Sequence, residues 1–221
     1  MVLLQKMRRL SMSNVLDKIN NGRQYRNMQM EIKEDNESFI VKGYATTFNE
    51  PYTLYEDDDC EIREQVASDA FDGTDMSDVI MQYDHEGRVF ARLSNNTLSL
   101  QSDERGLLIE ADLGGTTIGR QLYEEIKGGY TSKMSFGFTV ADDFVDEQKN
   151  GNKRVYLRTI RKIGKLYDVS AVSLPANDAT TISARSFCDG VIAKAEAERL
   201  LEEQRQRDKD YISLKTYLMS I

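Results

Sequence analysis

From Gln24 onward the chain alternates apolar and polar residues in short runs broken by turn residues, and this period of two restricts its fold most. Ser38 to Phe48 is β-branched and aromatic, bounded by Asn36 and by Asn49-Glu50-Pro51. Glu61 to Val66 reads as another strand, and Ser68-Asp69-Ala70-Phe71 as a capped helical turn. Val79 to Tyr83 runs apolar into a turn at Asp84-His85-Glu86-Gly87. Arg88 to Leu93, Thr97 to Gln101 and Gly106 to Leu113 spell a meander. In its last strand Leu107, Ile109, Ala111 and Leu113 share one face, opposite Leu108, Glu110 and Asp112. Strands are predicted over Ser132 to Phe144, Val155 to Ile163 and Lys165 to Leu174, the last two parted by Gly164.

Two stretches switch to helical spacing. Thr116 or Thr117 can cap a helix reaching about Lys127, with Ile118, Leu122 and Ile126 four apart and Gly128-Gly129 as its stop. Gly190 to Lys209 spells a charged helix with a thin apolar stripe, of the solvated or coiled-coil kind. No internal repeat is found. The expectation is an α+β, mostly β chain in three parts: an N-terminal arm over 1–23, a small β-barrel domain with helices packed outside over 24–187, and a charged helical tail over 188–221.

Composition excludes several functions. With 29 Lys and Arg against 37 Asp and Glu, the net charge of -8 disfavours nucleic-acid binding. No apolar run nears the roughly 20 residues of a membrane span. Met1 to Leu10 is apolar first and basic afterwards, the reverse of a secretory signal. Cys60 and Cys188 stand in no metal or redox spacing and fit a reducing cytoplasm. The acidic run Glu56-Asp57-Asp58-Asp59-Cys60-Glu61 lacks the ligand spacing and the glycine of a calcium loop, and reads as a solvated loop. There is neither a phosphate-binding Gly-x-x-x-x-Gly-Lys-[ST] loop nor a Gly-x-Ser-x-Gly elbow. No metal and no cofactor are expected. One histidine, His85, serves the whole chain, so any imidazole-based mechanism must use it.

Three residues then draw attention. In Lys133 to Val140, period two puts Met134, Phe136, Phe138 and Val140 on an aromatic face and Ser135, Gly137 and Thr139 on a small-residue face. Gly137 would leave room for a substrate beside the Ser135 hydroxyl, and Gly128 and Gly129 could supply N–H groups to an oxyanion. His85, at the end of a strand, is the one imidazole available to it. In Leu166 to Leu174, alternation groups Leu166, Asp168, Ser170, Val172 and Leu174 on one face, which leaves Asp168 among apolar neighbours. A buried carboxylate needs a partner, and two remain open: the His85 N–H, or a cation such as Arg161 or Lys165.

Taken in order, these pieces resemble the prohead proteases of tailed bacteriophages, distant relatives of the herpesvirus capsid-maturation proteases. The likeness runs from about Arg26 to Ser186. It rests on Val41-Lys42-Gly43-Tyr44-Ala45-Thr46-Thr47-Phe48, on Val79 to His85, on Met134-Ser135-Phe136-Gly137-Phe138, on Leu166-Tyr167-Asp168-Val169-Ser170 and on Leu174-Pro175-Ala176-Asn177. The resemblance implies a herpesvirus-protease-like fold and a serine endopeptidase with Ser135 as nucleophile and His85 as base. Where the herpesvirus relatives carry a second histidine, the phage branch commonly carries an acid, here Asp168. It also implies capsid and scaffold proteins as substrates, cleavage of the chain's own tails, work inside the immature capsid, and room for a homo-oligomer. A non-enzymatic scaffolding module on the same fold is the alternative, which the charged helix after Gly190 would suit.

Overall fold

The computed structural model of the chain describes residues 23–29, 38–58, 60–150, 153–173 and 181–219. The expected arm over 1–23 and the Leu174-Pro175-Ala176-Asn177 motif therefore lie outside the described residues, Arg23 excepted. The strands are β1 (Gln24–Gln29), β2 (Ile40–Thr47), β3 (Tyr52–Glu56), β4 (Cys60–Val66), β5 (Ile80–Tyr83), β6 (Glu86–Arg92), β7 (Leu98–Ser102), β8 (Gly106–Asp112), β9 (Lys133–Asn150) and β10 (Lys153–Val172). Helix α1 spans Thr117–Lys127 and helix α2 spans Thr181–Leu218.

One sheet has the strand order β1-β9-β10-β4-β3, with β5 added to β10 and β6 to β5; β2, β8 and β7 form a second sheet. Both pack on one apolar core. Val41, Ala45, Ile109 and Ala111 of the second sheet meet Met134, Phe136, Phe138, Val169 and Ala171 of the first, and α1 adds Leu122, Tyr123 and Ile126. The alternation read in β8 sits as expected, with Leu107, Ile109, Ala111 and Leu113 at most 1% exposed.

The mostly-β expectation holds, but no closed barrel forms among the described residues. A barrel needs its first and last strands hydrogen-bonded to each other. Here β1 and β3, at opposite ends of the order, meet through side chains. Arg26 of β1 and Tyr52 of β3 both donate to Glu64 of β4, Arg26 Nε at 2.5 Å and Tyr52 Oη at 2.6 Å. Arg158 of β10 adds a third donor at 2.6 Å and reaches Asp143 of β9 at 2.5 Å. Glu64 lies between Ile62 and Val66 on the buried face of β4, so its charge is held by these donors and not by water.

Two expected boundaries move. Gly164 does not divide two strands: β10 runs through it for 20 residues, and the irregularity appears as register shifts against β9 between Ile160 and Asp168. The C-terminal helix starts at Thr181 and passes through both the 187/188 boundary and Gly190. It is anchored by Val191 and Ala195, packed on Ile62, Val145 and Tyr156. From Arg199 to Tyr217 every residue is exposed, as a solvated helix requires. Helix α1 matches its prediction: Gly119 N donates to the Thr116 hydroxyl at 3.0 Å, and Leu122 and Ile126 are buried. Among the described residues no helix is long and apolar enough to cross a membrane.

The acidic run has ordinary partners. Asp57 accepts from Cys60 N and from Tyr55, Glu56 pairs with Lys153, and Glu61 pairs with Arg63. Asp59 lies outside the described residues.

Candidate active site

Strands β9 and β10 carry two of the three expected residues as near neighbours. Ser135 is registered against Ser170, and Gly137 against Asp168. Strict alternation would place Leu166 on the Asp168 face, but it does not. Leu166 pairs with Phe138 and Asp168 with the next residue back, Gly137, so β10 spends one extra residue at Tyr167. This bulge lets Leu166 and Val169 both enter the apolar core. It turns Asp168 and Ser170 to the face shared by Ser135 and Gly137.

His85 arrives on the β5–β6 hairpin. Ile80 and Tyr83 of β5 pair with Asp168 and Ala171 of β10, and the two-residue turn Asp84-His85 lies just beyond Tyr83. Both turn residues are left-handed, with φ of 50° and 61°. A type I′ hairpin turn demands this of its two central residues.

The three side chains meet. His85 Nδ1 lies 2.5 Å from Asp168 Oδ1, and His85 Nε2 lies 2.7 Å from Ser135 Oγ. A carboxylate only accepts, so the ring proton on Nδ1 is donated to Asp168. That leaves the Nε2 lone pair to receive the Ser135 hydroxyl proton. Ser135 is fully buried, Asp168 is 3% exposed, and the His85 side chain keeps 15% exposure. The two cations that competed for Asp168 are paired elsewhere: Arg161 with Asp142 and Lys165 with Asp75.

Two expectations are corrected here. Gly137 leaves no open space for a substrate. A Cβ there would overlap the Asp168 carboxylate and lie 2.8 Å from Tyr25 Cε1, so the missing side chain makes room for the acid and an aromatic ring. Nor are the Gly128 and Gly129 N–H groups free for an oxyanion. They donate to Glu124 and Ile126 carbonyls at 2.8 and 3.0 Å and so close the end of α1.

A caudovirus prohead serine protease family model matches residues 26–190. The chain belongs to that family. No curated protein and no solved structure matches it. The part matched to the prohead serine proteases begins in β1, ends inside α2, and contains Ser135, His85 and Asp168.

Sequence reasoning missed two contributors to this candidate site. Ser170, fully buried, donates its hydroxyl to Asp168 Oδ1 at 2.7 Å. Its position two residues beyond Asp168 on the same face was the available signal. Tyr25 of β1 lays its ring 4.3 Å from the imidazole at 55°. No local pattern could find it, because the β1–β9 pairing that brings it there spans more than a hundred residues.

Proposed function

We propose that this prohead protease cleaves peptide bonds with Ser135 as nucleophile, His85 as general base and Asp168 as the group that orients the imidazole. The observation that carries this reading is the unbroken chain of hydrogen bonds at 2.7 and 2.5 Å from hydroxyl to imidazole to carboxylate. Ser135 Oγ attacks the scissile carbonyl carbon as its proton passes to His85 Nε2. The resulting imidazolium is stabilised by Asp168, which stays ionised. As the C–N bond breaks, Nε2 returns that proton to the leaving amine, and an acyl-Ser135 ester remains. Water, deprotonated by the same nitrogen, hydrolyses the ester and restores the hydroxyl. Ser170 holds Asp168 in place, and Tyr25 flanks one side of the ring.

The substrates in this reading are capsid and scaffold proteins and the chain's own tails, cut inside the immature capsid. Family membership and the reactive geometry support it, as does the exposed course of α2 beyond Arg199, which a protease can reach. The test is intact mass over time for the chain and its Ser135→Ala variant. Discrete shortening of the first and a whole second chain are expected. Identical shortening of both would assign the cutting to another enzyme.

A further inference from the structure

We infer that Asp84 is a positioning residue for His85, clamping the turn that carries the imidazole to the strand that carries Asp168. The inference rests on the reading of His85 as the base, and extends it to the neighbouring residue, whose carboxylate is bonded to Ser173.

The turn needs an external hold. Its two central residues, Asp84 and His85, both adopt φ values open mainly to glycine. Hairpin turns of this shape prefer Asn-Gly, and a histidine at the second position persists only where its surroundings enforce it. The enforcement is visible on the Asp84 side. Its backbone N donates to the Ala171 carbonyl at 2.9 Å, which extends the β5–β10 ladder one step into the turn. Both of its carboxylate oxygens are taken by one residue: Ser173 N donates to Oδ1 at 2.8 Å and Ser173 Oγ to Oδ2 at 2.7 Å. The carboxylate beside the imidazole in sequence is thus spent on β10 and its continuation. The same chain segment grips the ring through Asp168 and the turn through Ser173, which sets the His85–Asp168 distance twice over.

A turn-forming role alone would make Asp84 replaceable by glycine, which adopts positive φ at less cost. Clamping makes the opposite demand, so Asp84→Gly separates the two. Asp84→Asn is the conservative control, since its amide can accept from Ser173 N and donate to Ser173 Oγ. The first readout is the rate at which a fluorophosphonate labels the folded chain. We expect Asp84→Gly to slow labelling about ten- to hundredfold, as misplaced catalytic groups do, and Asp84→Asn to stay within about twofold of the parent. The second readout uses the fact that the chain has a single histidine, so its ring 15N resonances need no assignment. At about pH 8 the parent should show one tautomer with the proton on Nδ1, and Asp84→Gly a mixture of the two. Parent-like labelling and a parent-like ring spectrum in Asp84→Gly would overturn the clamp. The spectrum reads the His85–Asp168 hydrogen bond alone. If Ser135 proved unreactive in the parent, the nucleophile assignment would fail while the clamp was still decided.

Discussion

At the scale of single residues, the site is organised around what Gly137 lacks. The Asp168 carboxylate and the Tyr25 ring fill the volume that any side chain there would need. Gly137→Ala should therefore push Asp168 off the imidazole without touching Ser135 or His85. The expected result is a loss of about a hundredfold in fluorophosphonate labelling, with a folding cost of about 1–3 kcal/mol for the overpacked methyl. An alanine variant labelled at the parent rate would show that the Asp168 position is not critical. The proposed serine, histidine and acid could be singled out in the sequence through the unique histidine and the family resemblance, and the fold brings their side chains together. The purpose of Gly137 could not be read there, since a glycine signals missing volume and not which neighbour occupies it.

At the scale of elements, β4 is tied to β1, β3 and β10 by one buried charge. Burial alone would raise the pKa of Glu64, but the Arg26 guanidinium, Arg158 and the Tyr52 hydroxyl reverse this and hold it below the ordinary carboxylate value. Burial and the Glu64 charge push the Tyr52 phenol up, so it remains a donor. A depressed folded pKa contributes stability that is present above the unfolded value of 4.5 and is lost as pH falls through the lower folded value. Glu64→Gln removes the buried charge that Arg26 and Arg158 share, leaving Arg158 with Asp143 as its acidic partner. It should cost about 3–5 kcal/mol near neutral pH, or a melting temperature roughly 10 °C lower for a chain of this size. The gap between the two proteins should narrow as the solution is taken from about pH 6 to pH 3, because the parent then loses what the variant never had. A gap that stayed constant would mean that Glu64 titrates alike in the folded and the unfolded chain, and a gap that widened towards low pH that the fold keeps it neutral. Element types were readable from periodicity: α1, β8 and the start of β9 fall where the pattern puts them. The bulge at Tyr167 was not readable, because it is imposed by the apolar core drawing in both Leu166 and Val169 against the local alternation. The unbroken course of β10 through Gly164 follows its pairing with β9 on one side and, on the other, the bridge from Lys165 to Asp75, which stands 90 residues away in sequence.

At the scale of the molecule, two sheets share one core, and the reactive side chains lie on the opposite face of the β9–β10 ribbon from it. Strand pairing makes the site: β5, β9 and β10 bring His85, Ser135 and Asp168 together, and β1 adds Tyr25 through a pairing that spans more than a hundred residues. Barrel closure was expected from the number of short strands. What draws the strand ends together is a set of charged side chains, whose partners no sequence pattern announces. The most direct test of the account is where a fluorophosphonate attaches to the folded chain and what that attachment depends on. A single adduct mapped to Ser135 by peptide mass, abolished in His85→Ala and reduced in Asp168→Ala, is the expected result. An adduct on another serine, or undiminished labelling of Ser135 after His85 is removed, would contradict it.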